Sequence, residues 1–92
     1  TGAIEGMTRA LAAEFAPSVR VNATAPSISH SAMAAPMLGK ESMRNTLAKS
    51  HPLGRVGEAD DSAALASFLL SDEAGWVTGQ VIGVDGGRAA VA

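Results

Sequence analysis

The sequence predicts an α/β fold built on a parallel sheet. Three observations carry that expectation. Two stretches have helical apolar spacing, two short runs far apart in the chain read as β-strands, and helical sequence separates those runs. Strands joined through helices lie parallel, with a right-handed crossover.

Residues 2–15, GAIEGMTRALAAEF, place Ile4, Met7, Leu11 and Phe15 at steps of three, four and four, one face of a helix. Pro17 and Ser18 end it. The next run, VRVNATA, alternates Val19, Val21 and Ala23 against Arg20, Asn22 and Thr24, a period-two strand signal closed by Pro26 and Ser27. From Ile28 to Leu38 the chain is rich in Ser, Ala and Met, and Pro36 is expected to interrupt it. ESMRNTLAKS predicts a short helix with Met43 and Leu47 on one face, and HPLGRVGE reads as a loop punctuated by Pro52, Gly54 and Gly57. Residues 59–71 form the second strong helix. Asp60 and Asp61 lie in its first turn, where the helix dipole favours negative charge, and Leu65, Phe68 and Leu69 supply the apolar stripe. After SDEAGW turns the chain, Val77 to Val84 are expected to be the last strand, with Asp85 a turn residue behind it. The order is α-β-α-α-β.

A two-stranded parallel sheet is marginal alone, because parallel strands normally sit inside a sheet covered on both faces. The 92 residues are 47% hydrophobic but hold only Phe15, Phe68 and Trp76 as aromatics, with ten glycines. A core of small side chains is thin for independent stability. The chain is therefore expected to be a single partial domain over residues 1–92.

Composition excludes several function classes. Net charge is −2 and the seven basic residues are scattered, so no footprint for nucleic acid or an acidic membrane is expected. No apolar run approaches the roughly 20 residues of a membrane span, and a soluble, cytoplasmic protein is expected. Without cysteine there is no disulfide, thiolate metal site or thiol nucleophile. His30 and His51 lack metal-ligand spacing, and no metal is expected. His30, set among serines without a carboxylate nearby in sequence, reads as an exposed loop residue rather than a general base. Arg55 and Glu58 read as a loop arginine and a helix-start carboxylate.

Three stretches resemble the C-terminal portion of the classical short-chain dehydrogenases/reductases, with the 3-oxoacyl-carrier-protein-reductase-like subgroup nearest. GAIEGMTRALAAEFAP is similar to the helix after that family's Tyr-x-x-x-Lys pair. VRVNATAPS is similar to its sixth strand and the Pro-Gly turn behind it. HPLGRVGEADDSAALASFLLSDEAGWVTGQVIGVDGG is similar to its last helix and seventh strand. The resemblance implies the C-terminal part of a doubly wound, Rossmann-like parallel sheet, and an NAD(P)-dependent oxidoreductase interconverting an alcohol and a carbonyl. It also implies that five strands, the glycine-rich phosphate turn and the catalytic Ser and Tyr lie outside these residues, with Thr1 standing where the lysine is usual.

The resemblance further implies that the turn after the first strand wraps the nicotinamide carboxamide. Pro26 matches the family's proline, Ser27 stands where Gly is usual, Ser29 where an aliphatic residue is usual, and Ser31 where Thr is usual. These four are the cofactor-binding candidates. Ser31 keeps the hydroxyl, whereas Ser27 would be strained if the turn needs a positive φ. Met33 is the substrate-binding candidate, in the segment that forms the lid in relatives. The alternative for the serines is a loop whose hydroxyls satisfy local backbone groups. No catalytic residue is assigned. The isolated chain is expected to bind no NAD(P), since the phosphate loop is missing. The partner expected is a second copy or a complementary N-terminal segment, and the alternative function is a non-catalytic oligomerisation or interaction module.

Overall fold

The computed structural model describes residues 2–91; Thr1, and with it the position compared to the family's lysine, lies outside the described residues. The elements are α1 (Gly2–Phe15), β1 (Ala23–Pro26), α2 (Ala35–Leu38), α3 (Glu41–Lys49), α4 (Ala59–Leu70), a 3-10 turn (Asp72–Ala74), β2 (Val81–Val84) and α5 (Arg88–Val91). β1 and β2 pair in parallel, with Ala23 opposite Val81 and Pro26 opposite Val84. The α/β architecture and the parallel sense are as predicted, and α1 and α4 both pack on β1.

Both strands are shorter than the period-two pattern suggested. Over Val19–Asn22 and Val77–Gln80 side chains make most of the bonds between the two stretches. The Val21 N–H donates to Thr78 Oγ1 (3.0 Å), Asn22 Nδ2 donates to the Val77 carbonyl (2.9 Å), and the Gln80 N–H donates to Asn22 Oδ1 (3.1 Å). Arg20 adds bonds from its guanidinium to the carbonyls of Val77 (3.3 Å) and Ser71 (3.2 Å). The chains run together here, but the polar side chains set their spacing. Gly79, at φ +72°, lets the backbone turn so that its N–H reaches the Val21 carbonyl at 2.7 Å.

Pro36 does not break the 28–38 stretch; it sits in the first turn of α2, a short helix outside the predicted order, where a proline's missing N–H costs nothing. α5 was not foreseen. Asp85 starts it, its carboxylate accepting the N–H groups of Gly87 (3.0 Å) and Ala89 (3.2 Å).

The core is small, as the composition implied. Its buried apolar residues are Ala12, Leu38, Val56, Leu69 and Ala74. α1 turns Thr8 and Ala12 inward, and Thr8 satisfies its hydroxyl on the Ile4 carbonyl at 2.7 Å. Of the apolar stripe on α1, Ile4, Met7 and Phe15 are roughly half exposed, and Trp76 is fully exposed. Small residues win the contact because they let the helix approach the backbone beneath it closely; the Ala12 Cβ is 3.5 Å from where a Cβ on Gly79 would be.

Candidate functional site

The carboxyl end of β1 feeds directly into the serine-rich turn. This turn is clamped to the entry of α4 by backbone bonds: the His30 N–H donates to the Gly57 carbonyl (2.9 Å) and the Gly57 N–H to the Ile28 carbonyl (2.8 Å). The result is a cavity of about 480 Å³ lined by Pro26, Ser27, Ser29, Ser31 and Met33, with Met37 beside them. All five candidates from the sequence border this one space. Its lining is mostly apolar.

The serines are not equivalent. Ser29 Oγ donates to the Ser27 carbonyl at 3.1 Å, and Ser31 Oγ accepts the Ala34 N–H at 3.1 Å. Local backbone satisfaction thus operates at both. Each hydroxyl retains capacity, since a serine has one donor and two acceptor lone pairs. Ser27 adopts no positive φ, as no non-glycine residue does among those described. The backbone strain anticipated for a serine at a glycine position does not arise.

Ser27 instead bonds to His51, which sequence reasoning passed over. The imidazole is buried at 3% exposure. Nδ1 lies 2.7 Å from the Leu47 carbonyl, which can only accept, so Nδ1 carries the proton. Nε2 is then the acceptor, and Ser27 Oγ donates to it at 2.8 Å. The sequence signal was the spacing: a histidine four residues beyond Leu47 at the end of α3 is placed to donate to a terminal helix carbonyl. His51 and Ser27, with Gly86 and Gly87, border a second cavity of about 370 Å³ on the other side of the turn.

At the head of α4, Glu58 caps the helix and Asp61 closes the box, its Oδ2 accepting the Glu58 N–H at 2.7 Å. Arg55 grips the same carboxylate with both terminal nitrogens, at 2.8 and 3.0 Å. The Arg55 hydrogen bonds and the Glu58 N–H lower the Asp61 pKa from 3.8 to about 2. His30 Nε2 sits 3.6 Å from Glu58 Oε1, a carboxylate partner that adjacency in sequence did not reveal; both groups are exposed. Among the described residues no group of three or more His, Cys, Asp or Glu could hold a metal ion, and no helix is long and apolar enough to cross a membrane.

These features suit a neutral polar group flanked by an apolar one. The hydroxyls of Ser29 and Ser31 fit an amide, which needs both donors and acceptors. The α4 N-terminus, occupied by Glu58, Asp60 and Asp61, does not fit a phosphate.

A family model described as Enoyl-(Acyl carrier protein) reductase matches residues 2–89. The chain is 46% identical over 85 residues to the 3-oxoacyl-[acyl-carrier-protein] reductase of Thermotoga maritima, covering 89% of this chain and 33% of that protein. Among solved structures, a short-chain type dehydrogenase/reductase from Mycobacterium ulcerans superposes with a TM-score of 0.85 at 40% identity, over 95% of this chain and 32% of that one. A gluconate 5-dehydrogenase from Burkholderia cenocepacia, solved with NADP and tartrate, gives 0.88 at 28% identity, over 99% and 36%. The chain spans about a third of the length of the relatives it matches.

Proposed function

Because this chain belongs to the short-chain dehydrogenase/reductase family, we propose that it forms the C-terminal part of an NAD(P)-dependent oxidoreductase that interconverts an alcohol and a carbonyl. The observation that carries the proposal is the convergence of Pro26, Ser27, Ser29, Ser31 and Met33 on one cavity at the carboxyl end of β1. Ligands of open α/β sheets bind at the carboxyl ends of the strands.

The nicotinamide group, when bound, supplies the hydride. The residues of this chain would hold it: Ser31, whose Oγ accepts the Ala34 N–H, keeps a hydroxyl proton to donate to a carboxamide, and the backbone of the 26–29 turn would position the ring. Met33 and Met37, which line the same cavity, would supply adaptable apolar contacts to a substrate there. The sequence contains no tyrosine. The tyrosine that the family resemblance implies at the substrate oxygen would therefore come from residues outside these 92, as would the site for the dinucleotide phosphates. The exposed Ile4, Met7 and Phe15 are covered by the remainder of the sheet domain or by a second copy. A reading as a non-catalytic module gains nothing from the relatives, whose names are those of reductases and dehydrogenases.

Calorimetric titration of NADH and NADPH into the natural full-length protein and into these 92 residues tests the proposal. Saturable binding by the former and none by the latter is expected. Failure of the full-length protein to bind either nucleotide would overturn it.

A further inference from the structure

The geometry points to His51 as a positioning residue that holds the Ser27 hydroxyl out of the candidate cofactor cavity, an inference that rests on the oxidoreductase reading. Ser27 is the only one of the candidates that borders both cavities. His51 borders the 370 Å³ cavity and not the 480 Å³ one that holds Ser29, Ser31 and Met33. Bonded to His51 at 2.8 Å, the Ser27 hydroxyl is drawn toward the 370 Å³ cavity.

Three constraints make the arrangement a latch rather than a chance contact. The imidazole is buried and its tautomer is set by the Leu47 carbonyl, so Nε2 presents a fixed lone pair. Ser50 Oγ, 3.3 Å from Nδ1, sits on the same side of the ring as that carbonyl. Arg88 Nη1 approaches Ser27 Oγ at 3.5 Å from α5, so the oxygen that donates to His51 faces a donor of its own. A serine side chain has three staggered positions, and these contacts select one.

The role follows from what the position demands. A glycine there leaves the turn free to approach a flat ring closely. A serine obstructs that approach unless its hydroxyl is drawn away, and His51 draws it away. Removing the imidazole releases the hydroxyl to its other rotamers, toward the neighbouring cavity. Removing the hydroxyl as well restores the glycine-like surface.

The test is a variant set in the natural full-length protein, with NADH and NADPH affinity measured by calorimetry. His51→Leu is expected to weaken nucleotide binding roughly 3–10-fold, the range one oriented hydrogen bond commands. Ser27→Gly combined with His51→Leu is expected to recover the affinity that His51→Leu alone loses, because no hydroxyl is left to enter the cavity. A merely structural histidine would give no rescue by glycine. Full affinity in His51→Leu, or a double variant as weak as the single one, overturns the inference while leaving the oxidoreductase reading intact. Loss of binding in the unmodified protein overturns both. Imidazole nitrogen NMR checks the latch without any ligand: His51 is expected to carry its proton on Nδ1, and Ser27→Gly to shift the Nε2 resonance. An Nε2-protonated ring would contradict the inference, and so would an Nε2 signal indifferent to Ser27.

Discussion

Replacing Gly87 by alanine should destabilise the protein more than the same change at Gly79, and the structure says by how much. Both glycines lie in the left-handed region, at φ +89° and +72°. A Cβ in that region costs roughly 1–2 kcal/mol, so both variants share this penalty. Their surroundings differ. At Gly79 the added Cβ meets the Ala12 Cβ at 3.5 Å, an ordinary contact. At Gly87 it meets Pro52 Cβ and Cγ at 3.3 Å. A proline ring cannot rotate aside, so the 51–54 loop must shift, and crowding of this kind adds about 1 kcal/mol or more. That loop is also tied to the turn by the Leu53 N–H on the Gly86 carbonyl at 3.1 Å. The expected losses are about 1–2 kcal/mol for Gly79→Ala and about 2–3 kcal/mol for Gly87→Ala, read from urea unfolding at constant slope. Equal losses, or a greater loss at Gly79, would refute the crowding argument. A Gly87→Ala protein as stable as the parent would refute the backbone argument as well.

Two further changes probe other parts of the structure. Asp61 has its pKa lowered from 3.8 to about 2 in the folded state, so its contribution to stability is complete above about pH 4 and is lost as pH falls toward 2; Asp61→Asn should flatten the stability profile across that window in acid-unfolding titrations, and an unchanged profile would contradict the Arg55–Asp61–Glu58 assignment. Asn22→Ala removes the side chain that bridges Val77 and Gln80 and should cost about 1–3 kcal/mol, with Asn22→Asp, which keeps only the acceptor, falling between; an Asn22→Ala protein within error of the parent would show that the ladder does not depend on this bridge.

Much of the fold was legible in the sequence because its strongest signals are local. Ile4, Met7, Leu11 and Phe15 mark a helix whose observed limits are Gly2 and Phe15, and Asp60 and Asp61 mark the start of α4. Which residues of α1 this chain buries was not legible: Thr8 and Ala12 turn inward, while Ile4, Met7 and Phe15 stay about half exposed. Strand length was overread for a related reason. Alternation persists through Val19–Asn22, but bonds from Asn22 and Thr78 displace the ladder, and no periodicity shows where a side chain outcompetes a backbone group. The candidate site was half legible. Pro26, Ser27, Ser29, Ser31 and Met33 are close in sequence and meet at one cavity. His51, just beyond the end of α3, and Arg88 from α5 reach Ser27, contacts that only the folded chain creates.

The central claim is that the turn after β1 receives the nicotinamide end of a dinucleotide. Amide and methyl NMR of the natural full-length protein during an NADH titration tests it most directly. The account predicts the largest shifts within these residues at Ser27 to Ser31 and at the Met33 methyl, with α1 and α3 little changed. Saturable binding that moves α1 or α3 and leaves Ser27 to Ser31 still would contradict it.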